Sequence, residues 1–231
     1  MRLSIAFLGA MLLASLVFWE PLKLTFAADL KSGKLPADFV LESGDSVVLD
    51  AASAVINSTS SPARQVDFLK GAGFFDVTNT GARFIVEAGD VSIEALGTAF
   101  EVLTADDTVI VSVAEGRVEV RSDGNAVQLA AGERIRIEAE RLNTIEEIPL
   151  IEVAEWRSDR LTVDGLTLGE VAHILDRRLA SRILVIGDVS KNRLLGGINL
   201  SEPKEAVDTL ATMSGVRVIA FPGLITFFPA N

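Results

Sequence analysis

Between about Phe39 and Ile148 apolar and polar residues alternate with period two. Val109, Val111 and Val113 alternate with Ile110, Ser112 and Ala114; Val118 and Val120 with Arg117, Glu119 and Arg121. Val127 and Leu129 follow, then Ile135 and Ile137 among Arg134, Arg136 and Glu138. Successive side chains of a strand point to opposite faces, so the pattern predicts half-buried β-strands. Glu115-Gly116, Ser122–Asn125 and Ala131-Gly132 punctuate it as turns. Strands of about five residues with glycine turns every ~8–12 residues predict a sandwich, barrel or solenoid. Further strands are expected at Phe39–Leu41, Ser46–Asp50, Arg64–Lys70, Phe74–Val77 and Arg83–Glu87, with a loop over Asn57–Pro62. The mixed charges at outward positions read as a solvated strand face with cross-strand pairs.

The period changes after an acidic connector near Asn143–Glu155, which contains Pro149. Leu161–Val163 reads as a short strand. Thr167 and Glu170 have the spacing of a capping box, which satisfies free amides at a helix start. Leu168, Val171, Leu175 and Leu179 then share one helical face. Strands are expected at Ile183–Ile186 and Gly196–Leu200. Ser201 is the expected cap of a second helix, with Pro203 in its first turn and Gly215 at its end. Val216–Ala220 and Leu224–Phe228 form a hairpin through Pro222-Gly223. The order is βαβ–βαββ, a two-layer unit of about 75 residues. The fold class is therefore α+β, with boundaries at 1–23, 24–150 and 151–231.

Leu3–Trp19 carries no charge. As a helix it covers roughly 25 Å, slightly short of a hydrocarbon core of about 30 Å. Two readings stand: a transmembrane helix with Trp19 at the interface, or a secretory signal peptide cleaved before Ala28. Both predict handling by the export machinery.

Composition narrows the chemistry. The net charge is −11, which argues against broad nucleic-acid binding. The absence of cysteine excludes disulfides, iron–sulfur clusters and thiolate zinc sites. The single histidine, His173, excludes a histidine-rich metal site and reads as a boundary or surface residue. No phosphate-binding loop, dinucleotide fingerprint, nucleophile elbow or zinc-protease helix motif occurs. Asp106-Asp107 and Glu146-Glu147 fall in expected loops, and adjacent residues of an extended chain diverge, so neither forms a paired-carboxylate site. No cofactor or metal is expected. One step invites attention: Gly97-Thr98 within EALGTAFEV (94–102), where glycine stands at the start of a predicted strand.

LESGDSVVLDAASAV (41–55), LKGAGFFDV (69–77), EALGTAFEV (94–102), VIVSVAEGRVEV (109–120) and VQLAAGERIRI (127–137) together resemble the FecR family. EWRSDRLTVDGLTLGEVAHIL (155–175) and LLGGINLSEPKEAVDTLATMSGVRV (194–218) continue the resemblance and are similar to the secretin-and-TonB N-terminal type of module. The resemblance implies a single-pass inner-membrane regulator with its bulk in the periplasm. Such a protein receives a signal from the N-terminal signalling domain of a TonB-dependent outer-membrane transporter, commonly one for ferric siderophores. Proteolysis at the membrane then lets a cytoplasmic segment regulate an extracytoplasmic-function sigma factor.

Several positions depart from that pattern. The family's anti-sigma segment precedes the membrane helix, whereas here Met1 and Arg2 alone precede Leu3. Sigma-factor contact is thus expected only with a further N-terminal segment, and an exported binding or scaffold protein is the alternative. Ser43-Gly44-Asp45 stands for the usual Asp-Gly-Ser, Ala72 for a Glu, and Asp159 for a Gly. The resemblance also makes Gly97-Thr98 a candidate self-cleavage step, with the Thr98 hydroxyl attacking the Gly97 carbonyl. The other reading is geometric: glycine permits a backbone conformation or close approach closed to other residues.

Overall fold

The computed structural model describes residues 28–58, 64–105 and 107–230. The apolar segment Leu3–Trp19 lies outside the described residues. Among those described, no helix is long and apolar enough to cross a membrane.

The strands of the first unit are β1 (Leu30–Lys31), β2 (Ala37–Val40), β3 (Ser46–Leu49), β4 (Ala54–Ser58), β5 (Arg64–Lys70), β6 (Ala72–Asp76), β7 (Phe84–Ala88) and β8 (Val91–Ala95). They continue with β9 (Ala99–Ala105), β10 (Thr108–Glu115), β11 (Arg117–Ser122), β12 (Asn125–Ala130), β13 (Glu133–Glu138), β14 (Arg141–Leu142) and β15 (Glu146–Glu147). One sheet has the order β1-β4-β5-β7-β8-β11-β12, and the other β14-β13-β10-β9-β6-β3-β2, with β15 on β13. Each order follows the chain. The backbone steps between the layers while advancing along both, so a sandwich in cross-section progresses like a solenoid. Pairing is antiparallel apart from β5–β7.

The predicted strands occur with ends shifted by one or two residues. β1, β4, β8 and β14 add to them, and β4 takes in Asn57 and Ser58 of the expected loop. Glu146-Glu147, expected in a loop, instead forms β15 by pairing with Glu133 and Arg134 of β13. Exposed acidic residues carry no period-two apolar signal, so an edge pair of this kind is invisible to patterning.

Inward residues of both sheets share one core, from Val47 and Leu49 through Phe100 and Val102 to Ile135 and Ile137. Phe75 stands at its centre. Its ring centroid is 5.3 Å from Phe100, 6.0 Å from Phe84 and 6.1 Å from Phe68. Phe75 and Phe100 belong to one sheet and Phe68 and Phe84 to the other, so the rings join the layers.

The second unit contains β16 (Arg160–Thr162), α1 (Leu168–Arg178), β17 (Arg182–Val185), β18 (Gly197–Asn199), α2 (Pro203–Ser214), β19 (Val216–Phe221) and β20 (Leu224–Pro229). This is the predicted βαβ–βαββ order. β16 pairs with β18, and β17, β20 and β19 form a three-stranded sheet in that order. The capping box is present: the Thr167 amide donates to Glu170 at 2.7 Å, and the Glu170 amide donates to the Thr167 hydroxyl at 3.2 Å. The expected Ser201 cap is not. Glu202 holds that position without a side-chain cap, and the Ser201 hydroxyl donates to Asn199 at 2.8 Å. Pro203 still begins the helix, and Gly215 ends it at φ +64°.

The second unit covers the outer face of one sheet. Ala72, Phe74, Leu103 and Ile110 from that face join Trp156, Leu168, Ile174 and Phe227 in a second apolar cluster. β6, β9 and β10 are consequently buried on both faces over four consecutive residues each. Removing a large core side chain costs about 3–5 kcal/mol, from lost transfer free energy and the cavity left behind. Phe75→Ala is therefore expected to lower unfolding free energy by about that amount in urea titrations, since the three rings of Phe68, Phe84 and Phe100 would lose their common contact.

Candidate functional site

Gly97 and Thr98 form the crossing from β8 in one sheet to β9 in the other. Two other crossings lie against it: the segment after β6, and Gly116 between β10 and β11. Gly97 has φ +68°, a left-handed conformation that glycine adopts without steric cost. A Cβ at Gly97 would stand 2.5 Å from the Asn79 Cβ. One at Gly116 would stand 2.9 Å from the Gly97 carbonyl oxygen and 2.8 Å from the Thr98 methyl. The chain thus places glycine at two facing positions because backbones pass too closely for any side chain.

Thr98 is buried, and its carbonyl accepts from the Val77 amide at 2.9 Å. Its hydroxyl oxygen is buried without a hydrogen-bond partner among the described residues. Leaving such a group unsatisfied costs about 1–3 kcal/mol. The two candidate residues therefore sit in a tight, buried turn.

A second constellation lies where the α/β unit meets the sandwich. Glu101 points outward from β9, yet is buried. It accepts from the Trp156 indole at 2.7 Å and from the Ala154 amide at 3.2 Å. Burial raises its pKa above the usual 4.5, opposed by Arg134 and by the Trp156 and Ala154 hydrogen bonds, with Asp50 adding to the rise. Glu155 is raised in the same direction, chiefly by burial. Between them Glu101, Arg134, Glu152 and Glu155 line a cavity of about 40 Å³ beneath Trp156.

Nearby, Asp50 is fully buried beside two arginines of α1. Arg178 is 2.5 Å from one Asp50 oxygen and 3.2 Å from Asp159; Arg177 is 3.6 Å from the other Asp50 oxygen. Asp159 adopts φ +53°. That left-handed conformation explains why a glycine suits this position, and the carboxylate holds Arg178 in exchange.

The charged strand faces divide. On β8 and β11 the expected solvated network is present, with Glu94 3.1 Å from both Arg83 and Arg121. On β13 the expectation fails. Arg136 pairs with Glu170 of the capping box. Arg134 donates to the Ser112 hydroxyl at 2.9 Å and to the Glu152 carbonyl at 3.3 Å. These side chains bridge to the second unit, which sequence alternation cannot place.

Ser43-Gly44-Asp45 keeps a turn, with the Leu41 amide donating to the Asp45 carbonyl at 2.8 Å. Asp45 also accepts from the Thr78 amide at 3.0 Å and from Arg64 at 3.1 Å. Ala72 is fully buried under the second unit. His173 is exposed on α1 and borders a cleft of about 560 Å³ at one end of the sandwich. Among the described residues no group of three or more metal-ligating side chains comes together.

Glu101, Asp50, Arg177 and Arg178 were not singled out by sequence reasoning. Glu101 lies between Phe100 and Val102 and has the pattern of a solvent-facing residue.

The whole is a two-layer β domain with an α/β unit seated on one sheet, and this arrangement exists elsewhere. Two crystal structures of a "putative anti-sigma factor" from Parabacteroides distasonis ATCC 8503 superpose with a TM-score of 0.78 each. They are 22% and 21% identical to this chain, covering 87% of it and 98% of theirs. That coverage takes in both units, and at this identity it establishes a shared fold. Residues 30–119 match the family model of the FecR protein. No curated protein matches the sequence.

The raised Glu101 pKa has a pH signature. A carboxyl that binds its proton more tightly in the fold favours folding below its usual value of 4.5. That contribution is lost as pH rises from there through the raised folded value. Glu101→Gln keeps an acceptor for Trp156 but sets its amide against the Ala154 amide, at a cost of about 1 kcal/mol. The variant is expected to be less stable than the parent at acidic pH, with the gap closing or reversing toward neutral pH. Urea unfolding across that range tests this; a pH-independent gap would contradict the assignment.

Proposed function

We propose that this protein is a regulator of a sigma factor that works through protein contacts, in the manner of the FecR family. The family match over 30–119 carries this reading. The fold shared with a protein bearing the anti-sigma name supports it. In its full form the reading is of an inner-membrane sensor, anchored by Leu3–Trp19, with its bulk in the periplasm. The α/β unit takes the part of the secretin-and-TonB N-terminal module and receives the signalling domain of a TonB-dependent transporter. β19 offers a site for such contact. It is an edge strand with unpaired backbone groups, and Ile219 and Phe221 on it are exposed. Sigma-factor contact requires a cytoplasmic segment ahead of Leu3, and release of that segment involves membrane and periplasmic proteases. Loss of the gene is expected to alter transcription from promoters of one extracytoplasmic-function sigma factor, read by whole-transcriptome sequencing. Unchanged transcription under every inducing nutrient would favour an exported binding or scaffold protein.

The unpartnered Thr98 hydroxyl supports a second reading, self-cleavage at Gly97-Thr98. The hydroxyl oxygen adds to the Gly97 carbonyl carbon, the C–N bond breaks, and the Thr98 nitrogen takes the proton. Water then hydrolyses the resulting ester, leaving a Gly97 carboxylate and a free Thr98 amine. Thr98→Ser is expected to yield two fragments on gel electrophoresis and Thr98→Ala an intact chain. Two fragments from Thr98→Ala would discard the chemistry and leave the glycine as a geometric element.

A further inference from the structure

The α/β unit is held against the sandwich by an unusual set of charges. Asp50 belongs to the sandwich and is fully buried; Arg177 and Arg178 come from α1 and are buried as well. The stoichiometry is uneven. Arg178 satisfies one Asp50 oxygen at 2.5 Å and turns its other arm to Asp159 at 3.2 Å. Arg177 approaches the second Asp50 oxygen only to 3.6 Å. None of its three guanidinium nitrogens makes a hydrogen bond among the described residues, and neither does that Asp50 oxygen. Desolvating a charge without hydrogen bonds is unfavourable, and a buried ion pair offsets this only with good geometry. Burial accordingly holds Arg177 below its usual pKa, with Asp50 opposing the shift.

The apolar half of the same interface is well packed, through Phe74, Leu103, Ile110 and Trp156. One surface thus combines extensive apolar burial with a charge that would be better solvated in water. The sandwich has a separate core of its own inward residues.

We propose that the α/β unit is a releasable cover on the sandwich, with Arg177 the group that favours release. Undocking rehydrates Arg177 and Asp50 and uncovers the outer face of β6, β9 and β10. The sandwich core stays closed while the cover opens. The proposal rests on the interface alone and is independent of the regulatory reading above.

The chain has no cysteine, so a single introduced thiol reports on opening without background. Ala105 is buried on the outer face of β9, under the second unit, and Ala95 is buried in the sandwich core. Ala105→Cys and Ala95→Cys in the full chain are compared by labelling rate with a soluble maleimide. Cys at 105 is expected to react at least about tenfold faster than Cys at 95, because it is reached by local opening rather than global unfolding. Adding Arg177→Met should slow labelling at 105 by roughly tenfold, since an apolar side chain removes the solvation drive and leaves Arg178 with Asp50. Arg177→Gln should move the rate in the same direction should the Met variant fold poorly. Equal rates at 95 and 105 in the parent would overturn the releasable cover. Fast labelling at 105 that neither Arg177 variant slows would overturn the role of Arg177.

Discussion

The structure turns on the contact between Glu101 of the sandwich and the Ala154–Trp156 segment of the second unit. A carboxylate on the outer face of β9 would ordinarily face water. Here it receives the Trp156 indole and the Ala154 amide, and the segment that carries them lies across the sheet. From that anchor the chain turns through Asp159 into β16, and α1 follows with its buried arginines. The outer face of the sheet becomes an interior, and three strands lose the solvated side that their alternation implies. A single buried acceptor thereby orients an apolar interface whose individual contacts are not directional.

The glycine crossings solve a different problem. A chain that steps between two layers while advancing along them must bring successive crossings side by side. At Gly97 and Gly116 that proximity leaves less than 3 Å for a side-chain carbon. The same closeness buries the Thr98 hydroxyl, which has no hydrogen-bond partner among the described residues. Backbone geometry and potential chemistry are therefore two aspects of one steric constraint.

Much of the framework was legible in the sequence because it depends on local patterns. The alternation from Phe39 onward, the capping box at Thr167 and Glu170, and the βαβ–βαββ order all occur as expected. The Gly97-Thr98 step also emerged, through a motif rather than through any chemistry its composition implied. Ser201 shows how a local rule loses to a neighbour: Asn199 takes its hydroxyl before it can cap the helix. β15 shows the opposite, a strand formed by pairing alone from residues with no strand signal.

By itself the sequence determined most of the strands, the order of the second unit and the capping box that starts its first helix. These follow from side-chain period and backbone sterics, which act over a few residues. Only the tertiary structure decided which outward faces stay wet. Glu94 and Arg121 remain on an exposed surface, whereas Arg134, Arg136 and Glu101 are drawn into an interface. The difference lies in the docking of a unit more than fifty residues away in sequence from Glu101, and no local pattern encodes which face that unit covers.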